Sequence, residues 1–145
     1  MKPEETIDFH IRWAWHSIAR IYNLEASKHG STMSVGQTLL NIDIEEGTPS
    51  TKLGPKMGME PRSLTRMIKS LEKKGWIEKK HDKSDKRLVK LHLTEEGKRL
   101  RQKTKEVVIH FNNRLYEEIG EKELKTCFNV LQQINNLIDR NNIFK

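Results

Sequence analysis

The chain has a single cysteine, Cys127, in 145 residues. One thiol excludes an intramolecular disulfide framework and any thiolate metal cluster built within one chain, and it fits a reducing compartment. No window approaches 18 apolar residues, and the N-terminal MKPEETIDFHIRW carries acids where a signal peptide needs an apolar core. These absences predict a cytoplasmic protein with no membrane partner. There is also no Gly-rich loop to cradle phosphate and no nucleophile with a recognisable base. The carboxylates of Glu45, Glu46, Glu117 and Glu118 read as solvated helix ends, so no catalytic residue and no enzyme is expected. His10, His16, His29, His81, His92 and His110 lack the close spacing of a metal site, which predicts no metal and no cofactor.

Hydrophobic residues make up 34% of the chain and charged residues 32%. The first figure is lean, so part of the apolar surface is a candidate for completion by a second copy. Positive charge is plentiful: the net charge is +7. Between Ser50 and Lys105 there are 18 Lys and Arg against 7 Asp and Glu, a net of +11, and the remainder of the chain carries −4. A basic block between mildly acidic ends has the charge distribution of a polyanion-binding module mounted on other elements.

Periodicity supplies the elements. Ile7, Ile11, Ala14, Trp15, Ile18, Ile21, Tyr22 and Leu24 recur at steps of three and four, predicting an amphipathic helix that Gly30 ends. A second, shorter helix is expected after Ser34 as N-cap, ending before Gly47 and Pro49. Two short helices follow, one with Leu53 and Met57 inward, the other opening at Pro61 with Leu64, Met67, Ile68 and Leu71 inward. Joined through Gly58 and Met59, they form a helix-turn-helix over about residues 50–74. A hairpin over about 76–93 comes next: a strand from Trp76 to His81, a DKSDK turn, and a strand from Arg87 to Leu93. Thr94 caps a long helix whose stripe includes Phe111 and Leu115. A last helix, about 122–140, carries Leu124, Phe128, Leu131, Ile134 and Ile138 at near-heptad steps, and the tail NNIFK frays or docks on a partner.

A hairpin directly after the second helix of a helix-turn-helix defines a winged helix, mainly α with a small β-hairpin (α+β). Residues 34–93 form the winged part of one domain spanning 1–145. In such a motif the second helix enters the major groove. Once its apolar side is buried, Arg62, Ser63, Thr65, Arg66 and Lys69 are left to supply the donors that base edges and phosphates need, and Arg66 is the first candidate.

The segments SLTRMIKSLEKKGWIEKK, DKRLVKLHLTEEG and SVGQTLLNI, at this joint spacing, resemble the recognition helix, the wing and the second helix of the MarR family of bacterial and archaeal transcriptional regulators. The resemblance covers almost all of the chain. It implies that Ser63, Thr65 and Arg66 face the major groove, while Arg87 reaches from the wing into the minor groove with Asp85 orienting it and Lys83 and Lys86 on neighbouring phosphates. Negative potential in a minor groove is a physical reason for an arginine there. Lys52 and Lys56 are the candidates for backbone contacts from the first helix of the motif. Pro55 departs from the pattern: either that helix begins near Gly54 or it is distorted.

The family's dimer is built from both chain ends, which agrees with the apolar stripes found above. Residues 5–30 and 95–141 are then dimerisation helices, with Ile7, Ile11, Phe111, Leu115, Leu124, Phe128, Leu131 and Ile138 at the interface. Many members bind small aromatic molecules between the dimer helices and the winged part, and Trp13, Trp15, His16 and Tyr22 are the residues that would line such a pocket. Cys127 lies in the last helix rather than near the N-terminus, where some members sense oxidants. The expectation is therefore a homodimeric, sequence-specific regulator of double-stranded DNA, a repressor on a pseudo-palindromic operator that responds to a small aromatic effector. The competing reading is a winged-helix protein-interaction or assembly module with non-specific nucleic-acid binding.

Overall fold

The computed structural model describes residues 1–140, 143 and 144, which divide into two compact units, Met1–Val107 and Val108–Lys145. Among the described residues there are six α-helices and a three-stranded antiparallel sheet, after a short 3-10 turn at Pro3–Glu5. No helix of these residues is long and apolar enough to cross a membrane.

In the first unit, α1 spans Ile7–Ser27 and α2 spans Met33–Leu40. The N-cap of α2 is Thr32 rather than Ser34: the Thr32 hydroxyl accepts from the Val35 N–H at 3.2 Å. Both residue types suit a cap, and Thr32 is the one with extended backbone. α2 stops at Leu40, earlier than the Gly47 boundary, and the chain passes through a turn in which the Asp43 carboxylate accepts from the N–H groups of Glu45 and Glu46 at 2.9 and 2.8 Å. Those two bonds hold the Asp43 carboxyl below its usual range.

β1, Thr48–Pro49, was not expected. It pairs antiparallel with β3, Thr48 opposite Leu91 and Pro49 opposite Lys90. β2, Ile77–His81, covers the other edge of β3, Val89–Leu93, so β3 is central. Two residues are too few to show alternation, and Pro49 is a residue that only an edge strand accommodates.

α3 spans Ser50–Met57 and runs through Pro55. It neither begins near Gly54 nor breaks. Pro55 has no N–H to give the Thr51 carbonyl, and Thr51 is exposed, so water can take the place of that donor. Gly58, at φ 60, closes the helix, and the Met59 N–H donates back to the Gly54 carbonyl at 3.1 Å. α4 is Pro61–Lys73 and α5 is Glu95–Ile119.

The core of this unit joins Val35, Leu39 and Ile42 to Leu53, Leu64, Ile68 and Leu71 and, from the sheet and α5, to Ile77, Leu91, Leu93 and Leu100. The start of α5 is pinned to the sheet. Thr94 accepts from the Gly97 N–H and donates to the Gly75 carbonyl at 2.6 Å, and a Cβ added at Gly97 would sit 2.0 Å from the Trp76 carbonyl oxygen.

The second unit holds the rest of α5 and α6, Glu121–Asp139, joined at Gly120 with φ 99. Leu124 is buried, and Phe111, Leu115 and Leu131 are half-buried. Tyr116, Ile119, Phe128, Leu137 and Ile138 are exposed, Phe128 by 50% and Ile138 by 56%. Residue 141, the end of the expected dimerisation segment, and much of the tail lie outside the described residues.

Candidate nucleic-acid interface

α4 turns its apolar residues, Leu64, Ile68 and Leu71, into the core with little waste. What remains outside is polar: Arg62, Ser63, Thr65, Arg66 and Lys69 are all exposed, as the 3.6-residue period requires. Gly54 allows α3 to close on α4, since a Cβ there would lie 3.3 Å from Leu64 Cδ2. The Thr65 hydroxyl donates to the Pro61 carbonyl at 2.8 Å, leaving its lone pairs and methyl group outward. Pro61, Arg62, Thr65 and Arg66 line a shallow groove of about 380 Å³ at the leading end of the helix.

The hairpin supplies the second part. β3 begins at Val89, not Arg87, and Arg87 belongs to the tip. Three side chains shape that tip. Asp82 accepts from the N–H and hydroxyl of Ser84, both at 3.2 Å, which with neighbouring Lys90 lowers its carboxyl from the usual value. Asp85 accepts from the Arg87 N–H at 3.0 Å, and His81 Nδ1 donates to the Lys86 carbonyl at 2.9 Å. Asp85 thus holds the main chain at Arg87, and no ion pair between the two side chains occurs among the described residues. The role of His81 had no signal in the sequence, because it depends on a carbonyl brought round by the turn.

Around the helix-turn-helix and hairpin, some cations are paired with acids and others are not. Lys79 pairs with Glu72 at 3.1 Å, tying β2 to α4, and Lys98 and Lys103 pair with acids of their own helix. By contrast Arg62, Arg66 and Lys69 on α4, Lys83, Lys86 and Arg87 at the hairpin tip, and Lys52 and Lys56 on α3 are exposed and take part in no ion pair. Eight unneutralised cations on three elements of one unit form a surface that attracts a polyanion.

The residues expected at a ligand pocket are on α1. Trp13 and Trp15 are 60% and 49% exposed, His16 is exposed and Tyr22 is half-buried, with Phe9 tilted against Trp13 at 6.1 Å between ring centres. A separate cleft of about 700 Å³ lies between α3, α4 and the hairpin, walled by Met59, Leu64, Ile68 and Val89. Among the described residues no group of three or more His, Cys, Asp or Glu comes together as a metal site, and Cys127 is exposed.

A helix-turn-helix packed against a three-stranded sheet, with a basic hairpin beside its second helix, defines a winged helix-turn-helix protein. Residues 32–89 match the model of the MarR family, a family of transcriptional regulators and not of enzymes. A relative, the HTH-type transcriptional regulator SarZ of Staphylococcus haemolyticus, is 25% identical over 119 residues, 81% of this chain and 78% of SarZ. Among solved structures, MepR of S. aureus in complex with DNA has a TM-score of 0.83 at 17% identity, covering 90% of this chain and 97% of MepR. CouR of Rhodococcus jostii RHA1, bound to p-coumaroyl-CoA, has a TM-score of 0.79 at 24% identity, covering 92% and 94%. These two likenesses establish the fold.

Proposed function

We propose that this chain is a sequence-specific double-stranded DNA-binding regulator, acting as a homodimer on a pseudo-palindromic operator and repressing transcription by occupying it. The observation that carries the reading is the set of unpaired cations on α4 and at the hairpin tip. An unpaired surface cation gains from displacing the counterions of a phosphate backbone, whereas one already neutralised gains less. Arg66 and Arg62 have the donor geometry for guanine edges, and Arg87, presented by Asp85, has the shape and charge for a minor groove. MepR, whose fold this chain shares, was solved with DNA, which supports the same use of the surface here.

The homodimer is supported by apolar surface that neither unit covers. Ile7, Ile11 and Leu24 on α1, and Phe128 and Ile138 on α6, are exposed by 42% to 63%. Apolar area is worth about 25 cal/mol per Å² when removed from water, so these stripes favour association. An effector of aromatic character is supported by Trp13, Trp15, His16 and Tyr22 on α1 and by the acyl-CoA held by CouR, whose fold is similar.

The test is equilibrium binding to a duplex selected from the organism's own promoters, against excess random duplex and over a salt series. Specific binding survives the competitor and shows a log–log salt slope of about −0.9 per phosphate neutralised. Equal affinity for both duplexes contradicts the reading and favours an interaction module with non-specific nucleic-acid binding.

A further inference from the structure

Glu60 is the one acid on the leading edge of α4. It occupies the N-cap with extended backbone (φ −65, ψ 147), yet its side chain does not bond the first-turn N–H groups. The carboxylate is exposed and, among the described residues, takes part in no hydrogen bond or ion pair. The next acid along the helix, Glu72, is bound to Lys79. A free carboxylate at this place is costly for a surface that only holds phosphate, because it repels the polyanion that Arg62 and Arg66 attract. It makes no capping hydrogen bond, a role for which Asp, Asn, Ser and Thr are suited, and serves the helix only through the favourable dipole at its N-terminus.

We propose that Glu60 is a specificity-determining residue that accepts a hydrogen bond from the exocyclic amino group of a base, cytosine N4 first and adenine N6 second. The proposal rests on the DNA-binding reading above. The N-terminal residues of a recognition helix approach the base edges most closely, and a carboxylate has acceptors only. In the major groove cytosine presents a donor, adenine a donor beside an acceptor, and thymine and guanine only acceptors at the corresponding edge. A carboxylate therefore favours cytosine and opposes thymine and guanine, through an unpaired acceptor facing another acceptor. Pro61 strengthens the arrangement: it has no N–H, so the carboxylate has one fewer main-chain donor to turn back to.

The experiment compares base-preference profiles of the full-length wild type, Glu60→Gln and Glu60→Ala over a random duplex pool, with melting curves to show that all three are folded. The wild type is expected to prefer cytosine over thymine about tenfold at one position in each half-site. Glu60→Ala reduces that preference to near parity while other positions keep theirs. Glu60→Gln, which adds a donor, shifts the preference toward adenine and admits thymine or guanine. If both variants bind every sequence more tightly with superimposable profiles, Glu60 only repels phosphate and the proposal is overturned, with the DNA-binding reading intact. A wild type without any base preference overturns both.

Discussion

At the scale of single residues, side chains that read bases are to be separated from those that hold phosphate. Arg66→Ala is expected to cost roughly 1 to 3 kcal/mol at one base position and to relax the preference there, while Lys83→Ala or Lys86→Ala weakens binding to all duplexes alike and flattens the salt slope. Titration of each variant against target and random duplex distinguishes these; an equal loss on both for Arg66→Ala removes it as a base reader. His92 provides a test of stability. Its ring lies against Gly47, where a Cβ would come within 2.6 Å of Cε1, and burial, then Lys80 and Lys90, push its pKa below 6.5 despite Glu78. The native state therefore binds the proton less readily than the unfolded chain. The stabilising effect of neutral His92 is present above pH 6.5 and is lost as pH falls below it. Urea midpoints at pH 7.5 and 5.0 should show a fall in the wild type that is smaller in His92→Gln. The exposed charges were legible in the sequence because α4 sorts polar from apolar by its period. The roles of His81 and His92 were not, since each depends on a backbone group distant along the chain or in a turn.

At the scale of elements, helix existence followed from periodicity and helix ends from local chemistry, with unequal success. Thr94 and Gly58 act as read. Thr32 displaced Ser34 because two cap-type residues stood within one turn and only backbone geometry chooses between them. Pro55 does not end α3, because the carbonyl it leaves without a donor belongs to exposed Thr51, an exposure that the sequence alone does not reveal. β1 is not legible in the sequence, because a two-residue edge strand has no pattern of its own and exists only when β3 is there to pair with it. The wing gives the element-scale prediction. If Asp85 acts by accepting from the Arg87 N–H, Asp85→Asn keeps the acceptor and retains DNA affinity, whereas Asp85→Ala frees the tip and lowers affinity several-fold, on the order of 1 kcal/mol. An Asn variant as weak as the Ala variant would assign the effect to charge instead.

At the scale of the whole molecule, the charge division was legible from a count of residues, and the winged fold from the order of its elements. How the two units serve assembly was legible only as stripes. The chain leaves apolar residues exposed in each unit, and the proposed homodimer explains both sets at once. Removing the residues after Gly120 is expected to yield monomers by sedimentation equilibrium; a stable dimer from that truncation would move the interface elsewhere. The central claim, a homodimer whose two α4 helices read one duplex, is tested most directly by selecting bound duplexes from a random pool with the full-length protein. The expected consensus is an inverted repeat whose half-sites are centred about 10 base pairs, one helical turn, apart. A consensus without two-fold symmetry, or no consensus at all, would contradict it.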